Sequence, residues 1–229
     1  TNLISDLDLS HNVELLNPLS KDLNVMRQSL LFSGLENVTY NQNRQNTEIK
    51  LFEFGRTYHK TEQGCLENQH LQLLVSGRLQ PENWNSVSDK AHFFFIKEKV
   101  EHILNKLGIK KIKSEKINNY GFENGLIYKY KKKRLVCFGK LSKGLCMAFN
   151  IKSEVYAADF NWDVVLNLVG VDKVKFKEVS KFPMVRRDLS LLIDKSVSFD
   201  VLKKVAMQVD SKLLRSVNLF DVYEGNELP

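Results

Sequence analysis

Asn17-Pro18-Leu19-Ser20-Lys21-Asp22-Leu23, Met26-Arg27-Gln28-Ser29-Leu30-Leu31, Tyr40-Asn41-Gln42-Asn43-Arg44 and Leu51-Phe52-Glu53-Phe54-Gly55-Arg56-Thr57-Tyr58 follow one another between residues 17 and 60. They read as a turn, a helix and a strand, with the rest of the chain attached to that strand. Asn17-Pro18 ends a short strand carrying Val13, Leu15 and Leu16. Ser33-Gly34-Leu35-Glu36 has the spacing of a capping box, in which a hydroxyl accepts from an early amide and a later carboxylate reaches back. Leu31, Leu35 and Val38 recur at helical spacing, and the helix fades near Asn43; Ser29 is an alternative start. Ile49 and Leu51 alternate with Phe52 and Phe54, so this strand is expected in the middle of a sheet covered on both faces. Glu53 shares the Ile49 and Leu51 face, where its carboxylate needs a partner.

Outward from there, residues 59–70 are polar and read as a long loop. Leu71, Leu73 and Val75 then return as the second strand of an antiparallel hairpin. Residues 84–91 are rich in turn formers. A helix from Phe95 puts Ile96, Val100, Ile103, Leu104 and Leu107 on one stripe and closes at Gly108. Short strands are predicted over residues 111–117, 126–130, 135–141 and 154–160, with Lys131-Lys132-Lys133-Arg134 at the tip between two of them. Asn161 caps a short helix bearing Val164, Val165 and Leu168. Near residues 171–177 the apolar stripe lapses, which predicts one domain over residues 1–172 and another over 173–229. In the second, Leu189, Leu191 and Ile193 predict a strand, Ser198 a helix with Leu202, Val205 and Val209, and residues 213–223 a second strand.

The 229 residues are 43% hydrophobic and 27% charged, the composition of a soluble globular protein of one large or two ordinary domains. The apolar run Phe93-Phe94-Phe95-Ile96 is far short of the roughly 20 residues that span a bilayer, so no membrane partner is expected. Asp6 and Asp8, with no basic region beside them, argue against a signal peptide, and the missing initiating Met suggests a piece excised from a longer chain. Cys65, Cys137 and Cys146 have no metal-ligand spacing, and an odd count suits a reducing compartment. The net charge of +7 is uneven: residues 97–143 hold fourteen Lys and Arg against four Asp and Glu, whereas residues 1–96 are net −3. RNA is one natural partner for such a stripe, and a solvated lysine-rich hairpin is the other reading. The five histidines are scattered, and no phosphate-binding loop, zinc-protease motif or nucleophile elbow occurs.

The residues quoted first, extended by Gly34-Leu35 and Phe52-Glu53-Phe54-Gly55, resemble the bacterial type of phenylalanyl-tRNA synthetase beta subunit. The resemblance resumes at Lys181-Phe182-Pro183, Arg186-Arg187-Asp188-Leu189-Ser190 and Val217-Asn218-Leu219-Phe220-Asp221-Val222-Tyr223-Glu224-Gly225, while residues 60–170 match only in outline. It implies an α+β fold: a class II synthetase-like antiparallel sheet with flanking helices, then a truncated ferredoxin-like β-α-β unit that begins an anticodon-binding domain. In a ferredoxin-like sheet the third strand lies between the first and second, so residues 178–229 are not expected to complete that sheet alone.

The family's beta subunit is understood as non-catalytic, assembling with an alpha subunit as a cytoplasmic heterotetramer. The resemblance implies partners in that alpha subunit and tRNA(Phe), no DNA, no cofactor on this piece, and ATP and Mg2+ used by the holoenzyme. A working class II site needs an Arg in the hairpin loop to hold the ATP α-phosphate and a second on a later helix. Here the first strand leaves through Arg56 into His59-Lys60, Ser76-Gly77 stands where an active relative would place Glu-Gly, and Asn161-Trp162-Asp163 brings no Gly-rich segment or Glu-Arg pair. No catalytic or metal-binding residue is therefore expected. Arg186, Arg187 and Lys181 are the candidate RNA contacts, because adjacent guanidiniums suit phosphate recognition. Lys131, Lys132, Lys133 and Arg134, interleaved with Tyr128 and Tyr130, are an alternative RNA patch.

Overall fold

Strands β1 (Ile49–Thr61), β2 (Gly64–Ser76), β3 (Lys113–Ile117), β4 (Phe122–Tyr130), β5 (Lys133–Leu141) and β6 (Val155–Asn161) form one sheet in the order β1-β2-β6-β5-β4-β3. Every pairing is antiparallel. The computed structural model describes residues 9–20, 23–81, 83–85, 89–110, 112–117, 121–170, 176, 178, 180–210 and 212–223. The chain divides into two units, Thr1–Phe176 and Lys177–Pro229. The boundary expected at residues 172 and 173 lies outside the described residues.

In the first unit, helices α1 (Leu31–Gln42) and α3 (Lys143–Ala148) cover one face of the sheet through Leu31, Leu35, Val38, Leu145 and Cys146. Helices α2 (Phe93–Lys106) and α4 (Trp162–Leu166) cover the other through Ile96, Val100, Leu104 and Val165. Full burial of each such aliphatic side chain stabilises by about 1.5–3 kcal/mol, so the sheet holds these short helices more than their own propensity does. His92 Nδ1 accepts from the Phe95 amide (3.3 Å), which starts α2 two residues before the expected Phe95. Asn161 Oδ1 accepts from the Val164 amide (3.1 Å), the expected cap of α4. Helix α3, capped by Ser142, is not among the expected elements.

The sequence misplaces the middle of the sheet. Strand β1 lies at the edge, and Phe52 and Phe54 are 72% and 57% exposed. The strands buried on both faces are β5 and β6, where Leu135, Val136, Phe138, Val155, Ala158 and Phe160 are shielded from water. Apolar residues on both faces of a strand mark burial or an unpartnered surface, and residue type alone does not separate the two. The expected loop over residues 59–70 is also strand: pairing runs unbroken from Ile49↔Ser76 to Thr61↔Gly64, leaving a two-residue turn at Glu62-Gln63. These residues are polar because they project past the core as a ribbon.

Helix α1 begins differently from the expected capping box. Its N-cap position is Leu30, with no capping side chain of its own, and Ser33 Oγ donates to Leu30 O (3.0 Å). Ser29 Oγ accepts from the Leu31 amide (3.1 Å), so the alternative start is the nearer one. The larger share falls to Gln72 of β2, 3% exposed beneath the helix end. With its amide oriented to match its neighbours, Gln72 donates to Leu30 O (2.9 Å) and accepts from Leu31 N (3.1 Å). Helix and strand approach closely because residue 34 is glycine: a Cβ there would stand 2.3 Å from Leu74 Cδ1 and 2.7 Å from the end of the Gln72 side chain.

In the second unit, α5 (Phe199–Val209) has Ser198 at its N-cap position and no buried residue. The two flanking segments expected as strands are extended, but no ladder joins residues 187–193 to 213–223 among the described residues. Leu189, Leu191, Leu219 and Val222 stay more than half exposed. A ferredoxin-like order, which places a third strand between the two, accounts for the missing ladder.

Gln72→Leu keeps the volume and removes both hydrogen bonds to the helix end. It is expected to lower unfolding free energy in urea by about 1–3 kcal/mol, the cost of stranding buried backbone groups.

Candidate functional site

Three places carry the functional candidates: the β1–β2 ribbon, the outer edge of β1, and the exposed cations. On the ribbon, Arg56 Nη1 lies 2.7 Å from Glu67 Oε1 on the opposing strand. Arg27 reaches across Gly55, where a Cβ would stand 2.4 Å from its Nη2. Arg27 donates from Nη1 to Glu53 Oε1 (2.7 Å) and from Nε to Arg56 O (3.0 Å), while the Tyr58 amide donates to Arg27 O (2.9 Å). The partner expected for Glu53 is thus Arg27, and the Arg27, Glu53 and Gly55 of the quoted motif act together as a clamp. Each guanidinium near the hairpin already holds a carboxylate partner, while its side chain stays 41% (Arg27) or 59% (Arg56) exposed.

Beyond the clamp, the edge of β1 is bare. Along an antiparallel edge, alternate residues point their N–H and C=O away from the sheet. The Tyr58 amide does so and meets Arg27, but the outward groups of Lys50, Phe52 and Phe54 have no partner among the described residues. The Phe54 ring meets Trp162 edge-on at 5.1 Å and Phe52 at 6.4 Å. An unpaired edge bordered by exposed aromatics is a surface suited to a protein partner.

Of the cations singled out by sequence, Arg186 pairs with Asp188 (Nε to Oδ1, 3.0 Å) and lies 5.4 Å from the Phe220 ring centroid. Arg187 and Lys181 are exposed and make no ion pair among the described residues. At the other patch, Lys131 and Lys132 form the β4–β5 turn while Lys133 and Arg134 already belong to β5. Tyr128, expected beside them as an aromatic contact, is buried and donates to Glu101 Oε1 (2.7 Å), whereas Tyr130 is half-buried with Lys131 Nζ 5.8 Å from its ring centroid.

Among known proteins, residues 2–162 match the family described as phenylalanyl tRNA synthetase beta chain CLM domain, and residues 180–229 match the ferredoxin-fold anticodon binding domain. The chain belongs to the phenylalanyl-tRNA synthetase beta-chain family. Curated relatives include the phenylalanine–tRNA ligase beta subunits of Bacteroides fragilis, 42% identical over 94% of this chain, and Porphyromonas gingivalis, 35% identical over 95%. The chain spans 28% of the length of each. Among solved structures, pyrrolysyl-tRNA synthetase from Desulfitobacterium hafniense is similar at a TM-score of 0.52 and 15% identity, over 69% of this chain and 53% of that one, which shows the fold alone.

This member of the beta-chain family does contain perturbed titrating groups, but they serve structure. Lys140 Nζ donates to Glu154 Oε1 (2.6 Å), and Tyr156 Oη donates to Glu154 Oε2 (3.0 Å). The Lys140 and then the Tyr156 hydrogen bonds hold the Glu154 carboxyl below the usual range, while the Glu154 bond raises Lys140. Burial pushes the Cys146 thiol up, the opposite of what a nucleophile needs. His59 is lowered by burial and then by His11 and His70, and His70 Nδ1 is 2.8 Å from Asp159 Oδ1. Among the described residues no group of three or more His, Cys, Asp or Glu could hold a metal, and no helix is long and apolar enough to cross a membrane.

A carboxyl depressed on folding adds stability above its unfolded value and loses it as pH falls through the folded one. Glu154→Gln should therefore lower stability by about 0.5–1 kcal/mol near neutral pH, a small effect because Glu154 is 58% exposed. The difference from the native chain should shrink to nothing in acid, as read from melting temperatures across a pH series.

Proposed function

We propose that this chain is the part of a phenylalanine–tRNA ligase beta subunit that docks the alpha subunit through residues 17–170 and reaches tRNA(Phe) through the unit from residue 173 onward. In this reading it is a non-catalytic support in a cytoplasmic heterotetramer, and phenylalanine activation belongs to the alpha subunit. The observation that carries it is the bare edge of β1 with Phe52 and Phe54 exposed on a family-specific core. A partner strand or loop there would pair the outward backbone groups and cover the two rings together.

The residues present do not fit ATP. Arg56 is bound to Glu67, Arg27 to Glu53, and Gln72 is engaged at the end of α1. The two-residue turn leaves no loop to wrap a phosphate. ATP and Mg2+ are accordingly assigned to the holoenzyme outside this piece, and no chemical step is drawn through them here.

Phe52→Asp with Phe54→Asp, in the full-length beta subunit co-expressed with the alpha subunit, should abolish co-purification. Both side chains are largely exposed, so the beta subunit should stay folded and lose no more than the Phe54–Trp162 ring contact, about 0.5–1.5 kcal/mol, as read from its melting temperature. Intact assembly would remove the docking role. Separately, Arg186→Ala with Arg187→Ala should weaken tRNA binding by the assembled complex about tenfold and flatten its salt dependence by about one phosphate contact per arginine. Unchanged affinity and slope would take both residues out of the RNA interface.

A further inference from the structure

At the end of the sheet far from β1, Lys110, Ile112, Lys113, Tyr130, Lys131 and Lys132 border an open cleft of ≈ 580 Å³. We propose that this cleft binds RNA as an unpaired nucleotide, with its base against Tyr130 and Ile112 and its flanking phosphates on the four lysines. This rests on the reading of the chain as a subunit that works on RNA, and it adds a contact far in sequence from the anticodon-binding unit.

Three observations carry it. First, charge is concentrated and uncompensated. Four ammonium groups and no carboxylate line the cleft, and none of the four makes an ion pair among the described residues. On the neighbouring elements, Glu115 of β3 pairs with Lys129 and Glu101 of α2 accepts from Tyr128. Second, the lining pairs those cations with an aromatic ring and an aliphatic side chain. That combination suits a stacked base between two phosphates. The volume falls within the range of small-ligand clefts.

Third, the turn is built against its own stability. Lys131 has φ +54°, a left-handed conformation that glycine and asparagine adopt far more readily. Lys132 and Lys133 follow it, so like charges crowd a hairpin end. A turn shaped only for folding would place Asn-Gly or Gly there. Keeping lysine in a strained position is explained when the charge has a ligand.

The test uses the assembled complex and a short oligouridylate, followed by fluorescence anisotropy across a salt series. This probe has no anticodon stem, so failure of the cleft is distinguishable from failure of the anticodon-binding reading. Lys131→Gly relieves the strained turn and should hold or raise the melting temperature while lowering affinity several-fold. Lys110→Ala with Lys131→Ala and Lys132→Ala should lower affinity at least tenfold and flatten the salt slope by about 0.7 for each phosphate no longer neutralised. Tyr130→Leu should lower affinity about tenfold with the slope unchanged, and Tyr130→Phe should leave both intact. Affinities and slopes equal to the native complex in all variants would overturn the proposal. So would intact oligouridylate binding with loss of subunit assembly, which would make the patch a protein interface.

Discussion

The amide of Gln72 joins the two parts of the first unit that everything else is built against. It sits on β2, one strand in from the edge, and closes the open end of α1 with one donated and one accepted hydrogen bond. Helix ends normally find such a cap in their own sequence, and here the N-cap residue is Leu30, which has none to offer. Ser29 Oγ offers the Leu31 amide one acceptor, and the other comes from the sheet, so the helix must come close enough to receive it. Gly34 permits that approach, and Leu31, Leu35 and Val38 are buried as its result. From the far end of the same helix, Thr39 Oγ1 donates to Phe149 O (2.7 Å) and Gln42 to Ser153 Oγ (2.6 Å), so α1 bridges the hairpin and the approach to β6.

The same economy explains what happened to the charged motif residues. In a sheet that held a nucleotide, arginines on the hairpin would face the ligand with no protein partner. Here Arg27 clamps Glu53 and two backbone groups of β1, and Arg56 crosses to Glu67. These bonds fasten the incoming segment to the edge strand at one end and stop where the aromatic surface begins. The motif is read best as a structural joint, and the family match concerns the frame it makes.

Much of this was legible in the sequence, and the failures have physical causes. The helices α2 and α4 and the strands β2, β5 and β6 followed from the spacing of apolar residues and from caps at Asn161 and Gly108. Gln72 had no local signal, because a cap delivered by another element leaves no pattern around the helix it serves. The ribbon was missed because strand residues beyond a core are as polar as a loop. The edge position of β1 was missed because Phe52 and Phe54 look the same to a reader whether their cover is in the chain or outside it. For the candidate cations, the sequence placed the lysines at a turn but could not assemble Lys110 and Lys113 beside them, since that depends on how β3 lies along β4.

The ribbon has a consequence for how the molecule breathes and varies. Strand β2 meets β6 only from His70 to Ser76, and Asp163 Oδ2 takes the Gln69 amide (2.7 Å) where it leaves the sheet. Arg27 secures the hairpin as far as Tyr58, and residues 60–67 beyond it are all exposed. The last pairs can therefore unzip from the turn inward without disturbing the core, as far as the Arg56–Glu67 pair, while opening at the base also uncovers Ile49, buried under α1. Amides at the tip then exchange with solvent on a far shorter clock than those at its base. Glu62-Gln63 is also where the chain can lengthen, shorten or carry a grafted segment at least cost to its fold.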